Sequence, residues 1–146
     1  MLDTHVVLDW LVFADARILP LAHTIEAGAL QWIGCADTRA EFVHMLGSPR
    51  LARWSSDRAH ALAEHDRLVQ VRTVSAPDLR LRCRDPDDQV FIDLARAQAA
   101  RWLLTRDRAL LALTRRACAA GLSIITPEAW IARHAAAPLE PLATTP

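Results

Sequence analysis

The apolar residues of the chain fall into short runs separated by longer segments with helical spacing. Runs at residues 30–35, 102–105 and 122–126 have the length of strands, and residues 1–5 resemble the end of a further short strand. The apolar run at residues 6–13 suits a buried helix, although its pattern alone does not distinguish helix from strand. Strands that alternate with helices predict an α/β fold with a mainly parallel sheet, which carries its sites at the carboxyl ends of the strands.

Helix start and stop signals place the remaining elements. Pro20 fits the first turn of a helix that reaches about Ala29, and Asp37 or Thr38 can cap a helix that ends near Gly47. These elements form one domain over residues 1–134, and residues 135–146, rich in Ala, Pro and Thr, are predicted to be a disordered tail. The other predicted helices run from Ser55, Ser56 or Asp57 to about Val71, from Asp88 to Ala100, from Arg108 to Ala120 with Gly121 as the stop, and from Pro127 to His134.

Composition indicates a globular protein. Of the 146 residues, 52% are hydrophobic, which is enough to build a core. No signal peptide precedes the first motif, and no apolar run reaches the roughly 18 residues of a membrane-spanning helix, so the default prediction is a cytoplasmic protein with no membrane partner. The three cysteines, Cys35, Cys83 and Cys118, lack the spacing of a zinc site, and we expect small buried hydrophobes in a reducing compartment.

The charged residues exclude several classes of function. The 17 basic and 17 acidic residues give a net charge of zero, so an RNA partner would need a local positive patch. Every basic residue is Arg, and the absence of Lys excludes chemistry that requires an amine, such as a Schiff base. The four glycines are isolated, so no glycine loop is available to bind a nucleotide phosphate.

The most informative polar feature is a set of carboxylates at strand and helix ends. Asp3 ends the first predicted strand, Asp88 opens a helix, and Asp107 follows the strand at residues 102–105, so the topology can bring all three to one edge of the sheet. Glu41 could join them and complete a set of oxygen donors of the kind that Mg²⁺ or Mn²⁺ prefers. Taken singly, each has an ordinary interpretation as a turn residue, an N-cap or a helix-dipole partner.

Five motifs follow one another along the chain. In this order they resemble the PIN domain family, and more narrowly the toxin components of toxin–antitoxin systems. The resemblance extends from Leu2 to about Ile131, and the block from Asp85 to Asp107 is its specific part. The motifs are Leu2-Asp3-Thr4-His5, Glu41, Asp85-Pro86-Asp87-Asp88-Gln89-Val90-Phe91-Ile92-Asp93-Leu94-Ala95, Leu104-Thr105-Arg106-Asp107 and Ile124-Ile125-Thr126-Pro127-Glu128-Ala129-Trp130.

The resemblance implies a three-layer α/β/α fold and a metal-dependent ribonuclease. The residues that match the acidic quartet of PIN domains are Asp3, Glu41, Asp88 and Asp107, with Asp87 as the second choice for the third place. This quartet is expected to hold one or two Mg²⁺ or Mn²⁺ ions. The expected partners are an RNA substrate, a cognate antitoxin and a second copy of the chain in a homodimer.

One position departs from the family pattern, because the first motif is usually Asp-Thr-Asn and this chain has His5 in place of Asn. An imidazole replaces only some contacts of an amide, and we expect His5 to act as a hydrogen-bond partner around the site rather than as a ligand. Asp9 and Thr105 are further secondary candidates. The basic residues that flank the motifs and are expected to contact RNA are Arg82, Arg84, Arg106 and Arg108.

Two other functions use the same residues. A PIN-like module could hold RNA or a protein without cutting, which the departure at His5 and the neutral net charge make plausible. A metal-dependent phosphatase would need the same carboxylates in a smaller, closed pocket. The receiver and haloacid-dehalogenase-like folds also place aspartates at strand ends, but both use a Lys, which this chain lacks.

Overall fold

The chain forms a three-layer α/β/α fold in which every strand pair is parallel. The computed structural model describes residues 1–74 and 80–134. Within them, β1 (Ile33–Gly34) pairs with β2 (Gln70–Val71), and β3 (Trp102–Leu104) pairs with β4 (Ser123–Ile125). Leu2 forms an isolated parallel bridge with Leu104, so the N-terminal segment lies beside β3. The predicted parallel sheet is confirmed, although its strands are only two or three residues long.

Helices cover most of the chain between these strands. Two 3-10 helices, Ala16–Ile18 and Pro49–Asp57, precede the second and the fourth α-helix. In the described ranges the α-helices are α1 (Thr4–Leu11), α2 (Leu19–Glu26), α3 (Ala36–Leu46), α4 (Arg58–Leu68), α5 (Gln89–Ala97), α6 (Arg108–Leu111), α7 (Thr114–Ala119) and α8 (Pro127–His134). None of the described helices is long and apolar enough to cross a membrane.

The start of α3 differs from the prediction. Its N-cap is Cys35, and neither Asp37 nor Thr38 occupies that position. Thr38 lies in the first turn, where its hydroxyl oxygen accepts the Cys35 N–H at 2.9 Å. Thr38 therefore supplies the polar side chain that favours a helix start, but it does so from the third residue of the helix and not from the N-cap position.

Two helices end before the predicted Ala29 and Ala100. After α2, Gly28 has a φ of 73°, and after α5, Ala99 has a φ of 48°. Both values lie in the left-handed region, which terminates a helix by turning the backbone away from its axis. Glycine adopts this conformation without a Cβ clash, whereas an alanine gives no comparable signal in the sequence.

The helix predicted over Arg108 to Ala120 is two helices, α6 and α7. The break lies at Ala112 and Leu113, and the Thr114 hydroxyl on the far side of it donates to the Ile124 carbonyl of β4 at 3.0 Å. The helix that was predicted to reach Val71 is also shorter than expected. Val69 is extended, and the N–H of Gln70 donates to Trp32 O at 2.8 Å as part of β2.

The core consists of two clusters of buried side chains, and the bridged residues Leu2 and Leu104 both belong to one of them. Among the cysteines only Cys35 is buried, while Cys83 is half-buried and Cys118 is exposed, so the prediction of three buried thiols is wrong for two of them. Val43 of α3 is 39% exposed. The predicted tail at 135–146 and part of the loop before Arg80 lie outside the described residues.

Candidate active site

Asp3 is buried at the junction between the N-terminal segment and β3. Its N–H donates to Leu104 O at 3.1 Å, and its Oδ1 accepts the Val6 N–H at 2.9 Å, which caps α1. Its Oδ2 accepts a hydrogen bond from the Thr105 hydroxyl. Burial raises the pKa of Asp3, and the hydrogen bonds from Thr105 and Val6 oppose that shift.

Glu41 is brought to Asp3 by α3. It lies in the second turn of that helix and is half-buried, and the Thr4 side chain hydrogen-bonds to its carboxylate. Burial raises the pKa of Glu41, and the negative charge of Asp3 raises it further against the Thr4 hydrogen bond. The Asp-Thr pair of the first motif therefore contributes both a carboxylate and the residue that contacts the second one.

Asp88 and Asp107 each stand immediately before a helix. Asp107 caps α6, since its Oδ1 accepts the N–H groups of Ala109 at 2.6 Å and Leu110 at 3.2 Å. Asp88 is the N-cap residue of α5, but its side chain makes no capping hydrogen bond. The ordinary N-cap interpretation therefore accounts for Asp107 and leaves the carboxylate of Asp88 unexplained.

The electrostatics connect the four predicted carboxylates. Burial, followed by repulsion from the charges of Asp107, Asp85, Glu41 and Asp3, raises the pKa of Asp88 to about 6. Each of these groups lies close enough to act on Asp88, although they come from separate parts of the chain. The fold thus places Asp3, Glu41 and Asp107 within electrostatic reach of Asp88.

The donor chemistry of this cluster fits a hard divalent cation, because all four groups are carboxylates that would be stabilised by positive charge. Even so, no group of three or more His, Cys, Asp or Glu side chains in the described part of the chain is arranged so that it could hold a metal ion. A shared ion would require the side chains to draw together. Asp88 is half-buried, and no capping hydrogen bond holds its carboxylate.

Thr105 hydrogen-bonds to two of the quartet residues, to the carboxylate of Asp3 and to the backbone of Asp107. It is fully buried, and its hydroxyl oxygen accepts the Asp107 N–H at 2.9 Å while the hydroxyl donates to Asp3. The position of Asp3 is therefore linked to the start of α6 through one side chain. This contact gives the secondary candidate Thr105 a definite position beside the cluster.

The other secondary candidates from the motifs lie at the edge of the cluster. His5 is exposed, and its charge acts on the pKa of both Asp3 and Glu41 by lowering it. Asp87 is exposed in a turn in which its N–H donates to Asp85 Oδ1 at 3.0 Å. Neither residue is as enclosed as the quartet.

Arg106 is held between two carboxylates. Its Nη1 contacts Asp9 of α1, and its Nε donates to Glu128 Oε1 of α8 at 3.0 Å. We call these three residues the Arg106 clamp. The secondary candidate Asp9 and Arg106, one of the arginines expected to contact RNA, are thus engaged with each other.

The remaining predicted arginines surround one groove. Arg82 and Arg84 from the segment before α5 line it together with Arg108 and Asp107, and its volume is about 530 Å³. We call this the arginine groove. It is partly open to solvent, whereas a phosphatase of small substrates was expected to have a small, closed pocket.

Three residues around the site were not predicted as functional. Thr4 contacts Glu41, Glu128 completes the Arg106 clamp, and Gln89 ties the segment before Asp85 to α5. All three lie inside the motifs given above, and this position was the sequence signal that could have identified them. Their individual roles depend on contacts between distant segments, and these are not visible in a single sequence.

Comparison with known proteins supports the same family. The family model described as PIN domain matches residues 1–109, which include all four carboxylates. Searches of curated proteins and of solved structures give no significant match.

Proposed function

Because this chain belongs to the PIN domain family, whose members are typically nucleases, we propose that it is a metal-dependent endoribonuclease. The reaction would be hydrolysis of an RNA phosphodiester bond. The single observation that carries the proposal is that the charges of Asp107, Glu41 and Asp3 act on Asp88, whose pKa is raised to about 6 by its burial and by these charges together. Such clustering of like charges is typical of a functional site rather than of a stability device.

We assign the residues as follows. Asp3, Asp88 and Asp107 would hold Mg²⁺ or Mn²⁺, with Glu41 binding directly or through water. A bound divalent ion in such a site lowers the pKa of water and stabilises charge that develops on the phosphate. Thr105 would orient Asp3 by its hydrogen bond, and Thr4 would orient Glu41.

The test is cleavage of single-stranded RNA with Mn²⁺ and with a chelator, comparing the wild type with Asp88→Asn and Asp107→Asn. Each variant removes one negative charge at nearly constant shape, and we expect the rate to fall at least about a hundredfold. The matched control is Asp37→Asn, an exposed carboxylate in the first turn of α3, which should cleave like the wild type. Cleavage that survives chelation, or that persists in both site variants, would contradict the proposal.

The alternative is a PIN-like module that binds RNA or a protein without cutting it. The observation that favours it is that no described group of acidic, His or Cys side chains is arranged to hold an ion. The same assay separates the two functions, because the binding module retains RNA in a gel-shift or filter assay and yields no product with any divalent ion. Mn²⁺-dependent product formation excludes it.

We also propose the finer role suggested by the motifs, the toxin of a toxin–antitoxin pair acting in the cytoplasm, and the homodimer expected for such a protein. A toxin should arrest growth when expressed alone and be neutralised by the product of an adjacent small gene. Expression without growth arrest, from a locus lacking such a gene, would contradict this role. The mass of the purified protein in solution tests the dimer.

A further inference from the structure

We propose that the arginine groove is a subsite for one unpaired nucleotide of the RNA, next to the bond that is cut. The proposal rests on the nuclease function above and adds a residue-level binding site to it. Asp107 lies both in the carboxylate cluster and on the wall of the groove, so a strand whose phosphate reaches the cluster continues directly into this space.

The charges of the groove suit a phosphate. In the described part of the chain, Arg82, Arg84 and Arg108 form no ion pair with a carboxylate, whereas Arg17, Arg39, Arg67 and Arg106 each do. All three groove arginines are exposed. Unpaired guanidinium groups around one groove can bind a phosphate in a bidentate manner without first breaking an internal ion pair.

The remaining surface of the groove suits a base. Ala109, Ala112 and Leu113, from α6 and the break after it, line the same groove. Burial raises the pKa of the Cys83 thiol, so this side chain adds no negative charge that would repel the phosphate. An apolar wall with cationic groups at its rim matches the two halves of a nucleotide, a flat base and a charged phosphate.

The groove wall is held in place before any ligand binds. Cys83 N–H donates to Gln89 Oε1 at 2.7 Å, and Gln89 Nε2 donates to Leu81 O at 3.1 Å, so α5 fixes the segment that carries both arginines. On the other side, Asp107 caps α6, which begins at Arg108. Both walls are therefore anchored by the same helices that position Asp88 and Asp107.

The first test measures how far bound RNA protects cysteine thiols from alkylation. It is done in a chelator, so that the test does not depend on cleavage of the RNA. The wild type is alkylated with and without a short single-stranded RNA, and modification of Cys83 in the groove is compared with that of the exposed Cys118 on α7. We expect RNA to slow modification of Cys83 several-fold and to leave Cys118 unchanged. Equal rates at Cys83 with and without RNA would overturn the proposal.

The second test measures RNA binding by Arg84→Gln and Arg108→Gln, with Arg115→Gln on α7 as the matched control outside the groove. Each groove variant should weaken binding about fivefold or more and reduce the slope of log affinity against log salt by about 0.7, while the control retains both. In Mn²⁺ the same variants should raise KM more than they lower kcat. Unchanged binding and salt slope in both groove variants would overturn the proposal.

The third test places an abasic nucleotide at successive positions of the RNA. Loss of a stacked base should weaken binding about fivefold or more at one position, next to the cleavage site, and little elsewhere. If an acidic peptide protects Cys83 and no abasic position has an effect, the groove is a peptide site and the proposal is wrong. Footprinting and binding that behave as expected without any cleavage would instead retain the subsite and remove the nuclease function.

Discussion

At the scale of single residues, a hydrogen bond holds the buried end of the site together. Thr105→Val keeps the shape of the side chain but removes the hydroxyl that donates to Asp3 and accepts from the Asp107 N–H. We expect a loss of about 2–3 kcal/mol in the free energy of unfolding, because a buried carboxylate and an N–H lose their partner. Cleavage should fall with it. Thr105→Ser, which retains the hydroxyl, is the control, and similar cleavage by both variants would contradict the role.

The titration of Asp88 gives a second prediction at this scale. Its pKa is about 6 in the folded chain against an ordinary 3.8, so the protonated form stabilises the fold. This contribution is fully present below about pH 4 and is lost as the pH rises through 6. In a chelator, the Tm of the wild type should therefore decrease relative to that of Asp88→Asn between pH 4 and 7, as measured by thermal unfolding. A Tm difference that does not change with pH would contradict the shift.

Asp3, Asp88 and Asp107 could be predicted as neighbours from the sequence because each lies in a short motif before a helix or after a strand, and the family resemblance added Glu41 to them. The roles of Asp9 and Arg106 could not. These two residues are 97 positions apart and form an ion pair only once α1 lies beside the loop after β3. A single sequence shows that an arginine is present, but not which carboxylate it meets.

At the scale of elements, two side chains pack so closely on β1 that Gly34 has no room for a Cβ. A Cβ added to Gly34 would lie 2.7 Å from Val69 Cγ2, just before β2, and 3.2 Å from Thr38 Oγ1 of α3. We expect Gly34→Ala to lower the free energy of unfolding by roughly 1–3 kcal/mol, because the β-branched Val69 side chain or β1 itself must shift. In Gly47→Ala, the control, the nearest atom would be His44 O at 3.4 Å, and its stability should be little changed. Equal denaturation midpoints for the two variants would contradict this packing.

Most of the helices and the strands β1, β3 and β4 were predictable from the sequence pattern, whereas β2 and the ends of the elements were not. The split between α6 and α7 illustrates the reason, since residues 108–120 have uninterrupted helical spacing. The break at Leu113 is accompanied by a contact with β4, where Thr114 donates to the Ile124 carbonyl. Tertiary contacts of this kind override local propensity, and they place the backbone of the break against the arginine groove.

At the scale of the whole molecule, the Arg106 clamp connects the first helix and the last described one to the loop that carries Asp107. Arg106→Gln leaves Asp9 and Glu128 without their cation. We expect it to lower the free energy of unfolding by about 1–2 kcal/mol. Arg67→Gln is the matched control. It breaks the exposed pair with Glu64, and the free energy of unfolding should change little because solvent screens that pair.

Chemical denaturation of the two variants measures both changes, and equal losses would show that the clamp acts as an ordinary surface pair. A double-mutant cycle between Asp9→Asn and Glu128→Gln then reports whether the two acids depend on each other through Arg106. Because the clamp lies outside the carboxylate cluster, its loss should lower Tm at every Mn²⁺ concentration.

The bond between Thr105 and Asp3 spans 102 positions of the chain, and it has a consequence for the order in which the protein is made. The ribosome produces Asp3 and Glu41 early, while Thr105 and Asp107 emerge only after most of the chain has been translated. Contacts this distant in sequence also form late in folding, because they must close a long loop. A chain translated only as far as Glu41 therefore holds two of the four carboxylates, and the bond that fixes Asp3 can form only after Thr105 has been made, so the site of the proposed nuclease would be completed late in synthesis.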